Sequence, residues 1–291
     1  MDIGKIGIWA FLDMVPSAES QDAAREIEDL GFGALWIPEA VGREIFTSSA
    51  LLLTGTRSLV IATGIANVWA RDAMAMANAQ RTLCEAYPDR FLLGMGVSHQ
   101  PMVSAVRGHN YDKPLTYMKD YLDAMDRSIF AGAQPASEPR RVLAALHPKM
   151  LALAAERSWG SHPYFVTPDH TVRARAALGE GKLLAPEQAV LLETDPEKAR
   201  AIARQHMAIY TGLPNYRRNI LSLGFEEADF DNGGSDRLVD AIVAWGDIEV
   251  IAERVKAHLD AGADHVCLQA LTSDMSEIPR GQWRELARGL L

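Results

Sequence analysis

Short, almost wholly apolar runs alternate along this chain with longer stretches that carry a helical period. Leu59 to Asn67 and Phe91-Leu92-Leu93-Gly94-Met95-Gly96 are such runs, and the segment between them predicts a helix from Ala73 to Tyr87. Apolar runs of this length, joined by a crossover helix, mark parallel strands buried on both faces. The unit repeats on either side. Ile3 to Phe11 predicts a first strand, Ser17 to Leu30 a helix closed by Gly31, and Ala34-Leu35-Trp36-Ile37 a second strand. Phe46 to Thr54 is a short helix before the third strand, and Arg71-Asp72 opens the helix that Pro88 stops. After the fourth strand, Gln100 to Lys113 is polar and lacks a period, which predicts a long connection over the ligand face.

Pro114 to Ala131 then predicts an amphipathic helix, Val142-Leu143-Ala144-Ala145 a fifth strand, Pro163-Tyr164-Phe165-Val166 a sixth and Ala185 to Leu192 a seventh. Thr167-Pro168 and Asp195-Pro196 each place an N-cap residue before a proline at the first helical position. From Tyr210 to Gly246 the pattern weakens around Gly212-Leu213-Pro214 and Asn232-Gly233-Gly234, which predicts an insertion of short helices after strand seven. Asp247 to Ala261 and His265 to Leu271 supply the last helix and strand, and Ala261-Gly262-Ala263-Asp264 repeats the turn at Leu30-Gly31-Phe32-Gly33. Eight alternations without a linker predict one α/β domain over residues 1–291, a (β/α)8 TIM barrel. Ligands of such barrels sit at the carboxyl ends of the strands, so Gly64-Ile65-Ala66-Asn67 and Val97-Ser98-His99 are the expected floor and wall of a site.

Composition narrows the function. The net charge of −9 comes without any Lys/Arg cluster, which argues against nucleic acid as a partner. No apolar run reaches the length of a membrane span, and Met1-Asp2-Ile3-Gly4 leads into a strand with no leader, which predicts a cytoplasmic protein. Cys84 and Cys267 share no redox or zinc spacing and read as small packed hydrophobes. HExxH, Gly-x-Ser-x-Gly and Walker patterns are missing. Gly94-Met95-Gly96 is a poor dinucleotide fingerprint because His99 stands where the third glycine belongs; its glycines serve close approach of a flat ligand instead.

The order and spacing of Leu30-Gly31-Phe32-Gly33-Ala34-Leu35-Trp36-Ile37-Pro38-Glu39, Ala62-Thr63-Gly64-Ile65 and Asp89-Arg90-Phe91-Leu92-Leu93-Gly94-Met95-Gly96 resemble the bacterial luciferase-like monooxygenase superfamily, and most closely its coenzyme F420-dependent branch. The resemblance spans essentially the whole chain. It implies an oxidoreductase that moves a hydride between the deazaflavin and a small organic substrate, with FMN as the alternative coenzyme of a monooxygenase. It implies a bulge after strand three, often with a non-proline cis peptide, on which the ring rests at Thr63, Gly64 and Ile65. It places Gly96, Val97 and Ser98, with Ala145 and Leu146, at the coenzyme; Glu39 near the ring; His99 as the proton donor; and Thr167 and His170 at the coenzyme phosphate. In the sugar-phosphate dehydrogenases of this branch a catalytic histidine follows the acidic residue of strand two, where this chain has Ala40. That reaction is therefore not carried over, and the active protein is expected to be a homodimer.

Local physics supports one of these assignments independently, because the N-terminus of the helix opened by Thr167 presents free N–H groups to an anion. Trp9, Phe11 and Trp69 lie near strand ends and are candidates for a substrate pocket, whereas Met74 and Met76 read as helix packing. Each has a plainer reading: Glu39 as a salt bridge at the rim, His99 as a loop contact, Thr167 as a cap alone. Outside this family the rival is a metal-dependent barrel hydrolase using Asp13, Glu39, His147, His162 or His170, against which stand the lack of a His-x-His pair on strand one and the scatter of the histidines. No metal site is expected.

Overall fold

A computed structural model of the chain describes residues 1–274 and 276–291. Its strands are β1 (Ile6–Trp9), β2 (Ala34–Ile37), β3 (Val60–Thr63), β4 (Ala66–Asn67), β5 (Phe91–Gly96), β6 (Arg141–Leu143), β7 (Gly160–Ser161), β8 (Leu183–Leu184), β9 (Glu187–Leu192), β10 (Val243–Gly246) and β11 (Val266–Ala270). The helices are α1 (Ser17–Asp29), α2 (Ile45–Gly55), α3 (Ala73–Ala86), α4 (Pro114–Asp126), α5 (Pro148–Arg157), α6 (Pro168–Leu178), α7 (Pro196–Thr211), α8 (Pro214–Ser222), α9 (Asp236–Ile242), α10 (Ile248–Asp260) and α11 (Arg280–Leu290). All strand pairs are parallel, in the order β10-β9-β11-β1-β2-β3-β5-β6-β7-β8. The ring closes through the continuous stretch 183–192, whose first half pairs with β7 and whose second half pairs with β11. The expected TIM barrel is therefore present.

Alternation along each strand separates two layers. On β1 and β2, Ile6, Ile8, Leu35 and Ile37 face the helices, while Trp9, Ala34 and Trp36 fill the barrel with Val60, Ala62 and Leu92. Trp9 and Trp36 lie side by side in the β1–β2 register. Both copies of the helix–glycine–strand unit end alike: the Phe32 amide donates to Ile27 O and the Ala263 amide to His258 O, with Gly31 (φ +94°) and Gly262 (φ +99°) at the left-handed position. Only glycine adopts that backbone without cost, which is why the two turns share it.

Three expectations need correction. The sixth strand is Gly160–Ser161, not Pro163–Val166. A Cβ at Gly160 would lie 1.9 Å from Leu183 O, so the pairing there needs a residue with no side chain, and the apolar run beyond it leaves the ladder with Phe165 at φ +59°. The insertion after strand seven is helical, through α8, a 3-10 stretch at Glu227–Gly233 and α9, but it ends in a strand, β10, parallel to β9. With α7 it builds a second core of its own around Met207, Tyr216, Ile220 and Leu238. The connection after the fourth strand contains a π-helical turn at Pro101–Val106. The expected bulge, by contrast, is present: the third strand is broken in two at Gly64–Ile65, where the peptide bond is cis.

Candidate active site

The carboxyl ends of β1, β2, β3, β5, β6 and β11 open into one cavity of about 1160 Å3, roofed by α7 and α8. Its floor is the break after β3. The Gly64 amide donates to Ile37 O (2.7 Å), the Trp9 indole N–H donates to Gly64 O (3.2 Å) and the Glu39 amide donates to Ile65 O (3.3 Å). These bonds replace the ladder bonds that the bulge gives up. A Cβ on Gly64 would lie 2.9 Å from both His162 Nε2 and Trp9 Nε1, and one on Gly96 would lie 3.0 Å from Ile65 and Ala144, so both glycines are required by close approach. Gly64, Ile65, Val97, Ser98, Ala145 and Leu146 all line the cavity.

Thr63 and Gly96 are among the buried residues beneath that surface rather than on it. The Thr63 hydroxyl donates to Gly94 O (2.6 Å) and accepts from the Gly94 amide (2.9 Å), locking β3 to β5 below the floor. Glu39 lines the cavity, yet its oxygens accept from the Asn67 amide (2.7 Å) and from both terminal nitrogens of Arg71, and its side chain is 4% exposed. Its carboxylate braces the bulge, with Arg71 continuing to Glu44 (3.0 Å).

His99 reaches the cavity from the end of β5. Its Nδ1 lies 3.2 Å from Asn215 Oδ1 at the start of α8 and its ring 5.1 Å from that of Tyr216. An amide oxygen only accepts, so Nδ1 carries the hydrogen and Nε2 keeps its lone pair. Burial holds the pKa of His99 below its usual value, with the Asn215 bond acting weakly the other way, and the ring is neutral at pH 7.

Two expected contacts lie elsewhere. Thr167 caps α6 as predicted by accepting from the His170 amide (3.4 Å), but it and His170 are 5% and 1% exposed and neither lines the cavity. His170 sits behind the wall, its Nε2–H donating to Leu146 O (2.9 Å). The helix start that does face the cavity belongs to α5, where His147 and Lys149 line it with Arg218 from α8. Among the described residues neither Lys149 nor Arg218 has an ion-pair partner, which leaves two uncompensated cations at a helix N-terminus. Trp69 also lies outside, stacked on Tyr117 at 3.7 Å with its N–H donating to Val97 O (3.0 Å). Trp9 and Phe11 are at the cavity, Phe11 at its mouth.

Sequence reasoning missed the roof. Tyr164, Tyr210 and Tyr216 meet there, and because Gln269 Oε1 accepts from Tyr164 (2.8 Å), the Tyr210 hydroxyl donates to Tyr164 (2.8 Å). Their clustering has no periodic signal, since they come from a misplaced strand and from the insertion. His162, a metal ligand only in the hydrolase reading, stacks on Trp36 (4.2 Å) with Nδ1 on Ala185 O (2.7 Å). Among the described residues no three His, Cys, Asp or Glu side chains gather as a metal site, so nothing in the geometry favours the hydrolase reading.

The luciferase-like monooxygenase family model matches residues 12–265. The chain belongs to that family. Within it, a Mycobacterium tuberculosis protein provisionally named a coenzyme F420-dependent oxidoreductase is 26% identical over 97% of this chain and 96% of its own length. An F420-dependent secondary alcohol dehydrogenase, solved with an F420-acetone adduct, shares the fold at TM-score 0.78 and 15% identity over the full length of both chains. The oxygenating constituent of 3,6-diketocamphane monooxygenase from Pseudomonas putida, solved with FMN, shares it at TM-score 0.72 and 15% identity, over 98% of this chain and 96% of that one. Among the described residues no helix of this luciferase-like protein is long and apolar enough to cross a membrane.

Proposed function

We propose that this luciferase-like protein is a coenzyme F420-dependent oxidoreductase acting on a small, mostly apolar substrate. The observation that carries the reading is the pairing, in one cavity, of a side-chain-free floor at Gly64 with uncompensated cations at Lys149 and Arg218. A volume of about 1160 Å3 exceeds the roughly 300–1,000 Å3 that serve one drug-sized ligand, which suits a coenzyme ring and a substrate held together. The name of the Mycobacterium relative supports F420 over FMN. The coenzyme supplies or takes up a hydride when bound.

The residues at hand fit such a group. Ile65, Ala145 and Leu146 offer an apolar bed for a flat ring, and the α5 N-terminus with Lys149 and Arg218 would hold an anionic tail. Burial and the nearby Arg218 guanidinium keep His147 below its usual pKa, so it sits there uncharged with Nε2 buried and unpartnered among the described residues. His99, neutral with a free Nε2, takes a proton from the substrate at pH 7 and returns one only after being protonated. A homodimer is part of this proposal, and sedimentation velocity of the purified chain would test it.

Absorbance titration of the purified chain with F420 and with FMN tests the reading. Tight binding of F420, weakened about tenfold by Lys149→Ala at low salt, is expected, since a charged hydrogen bond contributes about 1.5 kcal/mol or more. Retention of FMN with no F420 binding overturns the coenzyme, and binding of neither overturns the function.

A further inference from the structure

Tyr216 stands out among the polar groups of the cavity. It is 6% exposed and lines the cavity from α8, its ring held edge-on against Tyr210 (5.5 Å, 89°) and Phe165 (5.4 Å, 65°). Packing on these sides fixes where its hydroxyl goes. Yet among the described residues that hydroxyl has no hydrogen-bond partner, in contrast to Tyr164 and Tyr210, which bond each other beside it. The hydroxyl opens onto the cavity, and the packing of the ring against Tyr210 and Phe165 would be served equally well by a phenylalanine. The position retains a polar atom that nothing within the chain uses.

Across from it is His99, whose ring is 5.1 Å away and whose Nδ1 is committed to Asn215, the residue just before Tyr216. Burial pushes the Tyr216 phenol well above its ordinary pKa, so it stays an O–H donor throughout the working range. This part of the cavity thus presents a free donor beside a free acceptor, Tyr216 O–H and His99 Nε2, on neighbouring rings. A single ligand atom satisfies both only if it accepts and donates at once.

We propose that Tyr216 and His99 together clamp a protic heteroatom, an O–H or N–H group, on the substrate of this site, Tyr216 donating to it and His99 Nε2 accepting from it. The proposal rests on the oxidoreductase reading for what then happens to that substrate, but the clamp itself is a binding claim. It adds Tyr216, a residue of the insertion, to the groups that touch substrate. It also selects, among apolar molecules that fit the cavity, those with a hydroxyl or amine over the corresponding hydrocarbon or ether.

The test is calorimetric, on the full chain with and without F420, using 2-indanol, its methyl ether and indane as probes. The wild type should bind 2-indanol about tenfold more tightly than indane, the scale of a net hydrogen bond of about 1.4 kcal/mol, with the ether between them. Tyr216→Phe should abolish the advantage of the ether over indane and leave indane and F420 binding unchanged. Its melting temperature should stay level, because the hydroxyl makes no bond among the described residues. Equal binding of 2-indanol and indane by the wild type overturns the clamp, as does a Tyr216→Phe chain that keeps the ether's advantage or melts lower. Failure of F420 to bind, with the probe preferences intact, overturns the coenzyme reading and leaves the clamp standing.

Discussion

Acidification from pH 7 to pH 5 should remove a large part of this protein's stability, through histidines that folding keeps uncharged. Burial lowers His162, His170, His206 and His265 from the ordinary 6.5 to about 4, and His258 to about 3. All five are less than a tenth exposed. Each folded value lies below the unfolded one, so the unfolded chain binds protons first: the stability is intact above pH 6.5 and is lost as pH falls towards about 4. pH 5 lies 1.5 units below 6.5, which at 1.36 kcal/mol per unit costs about 2 kcal/mol per histidine and about 10 kcal/mol for the set. Glu187 works in reverse. Burial raises its carboxyl from 4.5 to about 8, so the folded state holds a proton that the unfolded state lacks and regains about 2–3 kcal/mol over the same interval. The net loss of about 7–8 kcal/mol compares with the roughly 5–15 kcal/mol that holds a typical domain together. Urea unfolding at pH 7, 6 and 5, followed by circular dichroism, measures it directly. His206 has no hydrogen-bond partner among the described residues, so His206→Gln should remove about 2 kcal/mol of the pH dependence with little structural damage. A difference below about 2 kcal/mol between pH 7 and pH 5 would falsify the claim that these rings are neutral and buried.

Gly64→Ala should raise the Kd for F420 at least tenfold, because the added carbon meets His162 and Trp9 at 2.9 Å and lifts the floor; overpacking of this kind costs about 1–3 kcal/mol, and an unchanged absorbance titration would remove the floor from the site. Arg71→Ala leaves the Glu39 carboxylate, 4% exposed, without its cation and should cost about 3–5 kcal/mol in urea; a loss under about 1 kcal/mol would show that the bulge does not depend on this pair. With His99 neutral at pH 7, turnover in the direction that releases a substrate proton should be level above pH 6.5 and fall as pH drops through the lowered pKa, whereas a profile that rises with acid would make His99 a donor in that direction. His99→Ala should flatten that profile and lower kcat more than it weakens coenzyme binding.

The parts of the fold and floor that the amino-acid order reveals are those set by local backbone chemistry. Gly31 and Gly262 announce two identical helix stops, Thr167 and Asp195 announce caps, and each does its work within a few residues of itself. The break at Gly64–Ile65 is expected only through the family resemblance of Ala62-Thr63-Gly64-Ile65, since the residues that close the space above Gly64, His162 and Trp9, come from distant parts of the chain. Features that depend on distant partners were displaced. A strand of two residues, Gly160–Ser161, has no apolar run to show, and the anion-facing helix start is α5 rather than α6 because the bond from His170 to Leu146 turns α6 to the back of the wall. Glu39 could not be resolved between a ring contact and a brace without Arg71, which lies 32 residues further on.

This division follows the two halves of the cavity. The bed for the coenzyme ring is made from strand ends, where backbone position and the lack of a side chain matter, and it is fastened from below by Thr63, Glu39 and Arg71. The opposite side is made from α7 and α8, which pack into a second core with Phe165 and Leu271 and meet the barrel site chiefly through Asn215 on His99 and Tyr210 on Tyr164. Side chains on that roof can therefore change without disturbing the floor, because the bonds that shape Gly64–Ile65 do not pass through α8. What the cavity admits is then decided by the insertion, the stretch whose weak pattern said least, and Tyr216 is its most buried polar group facing that space.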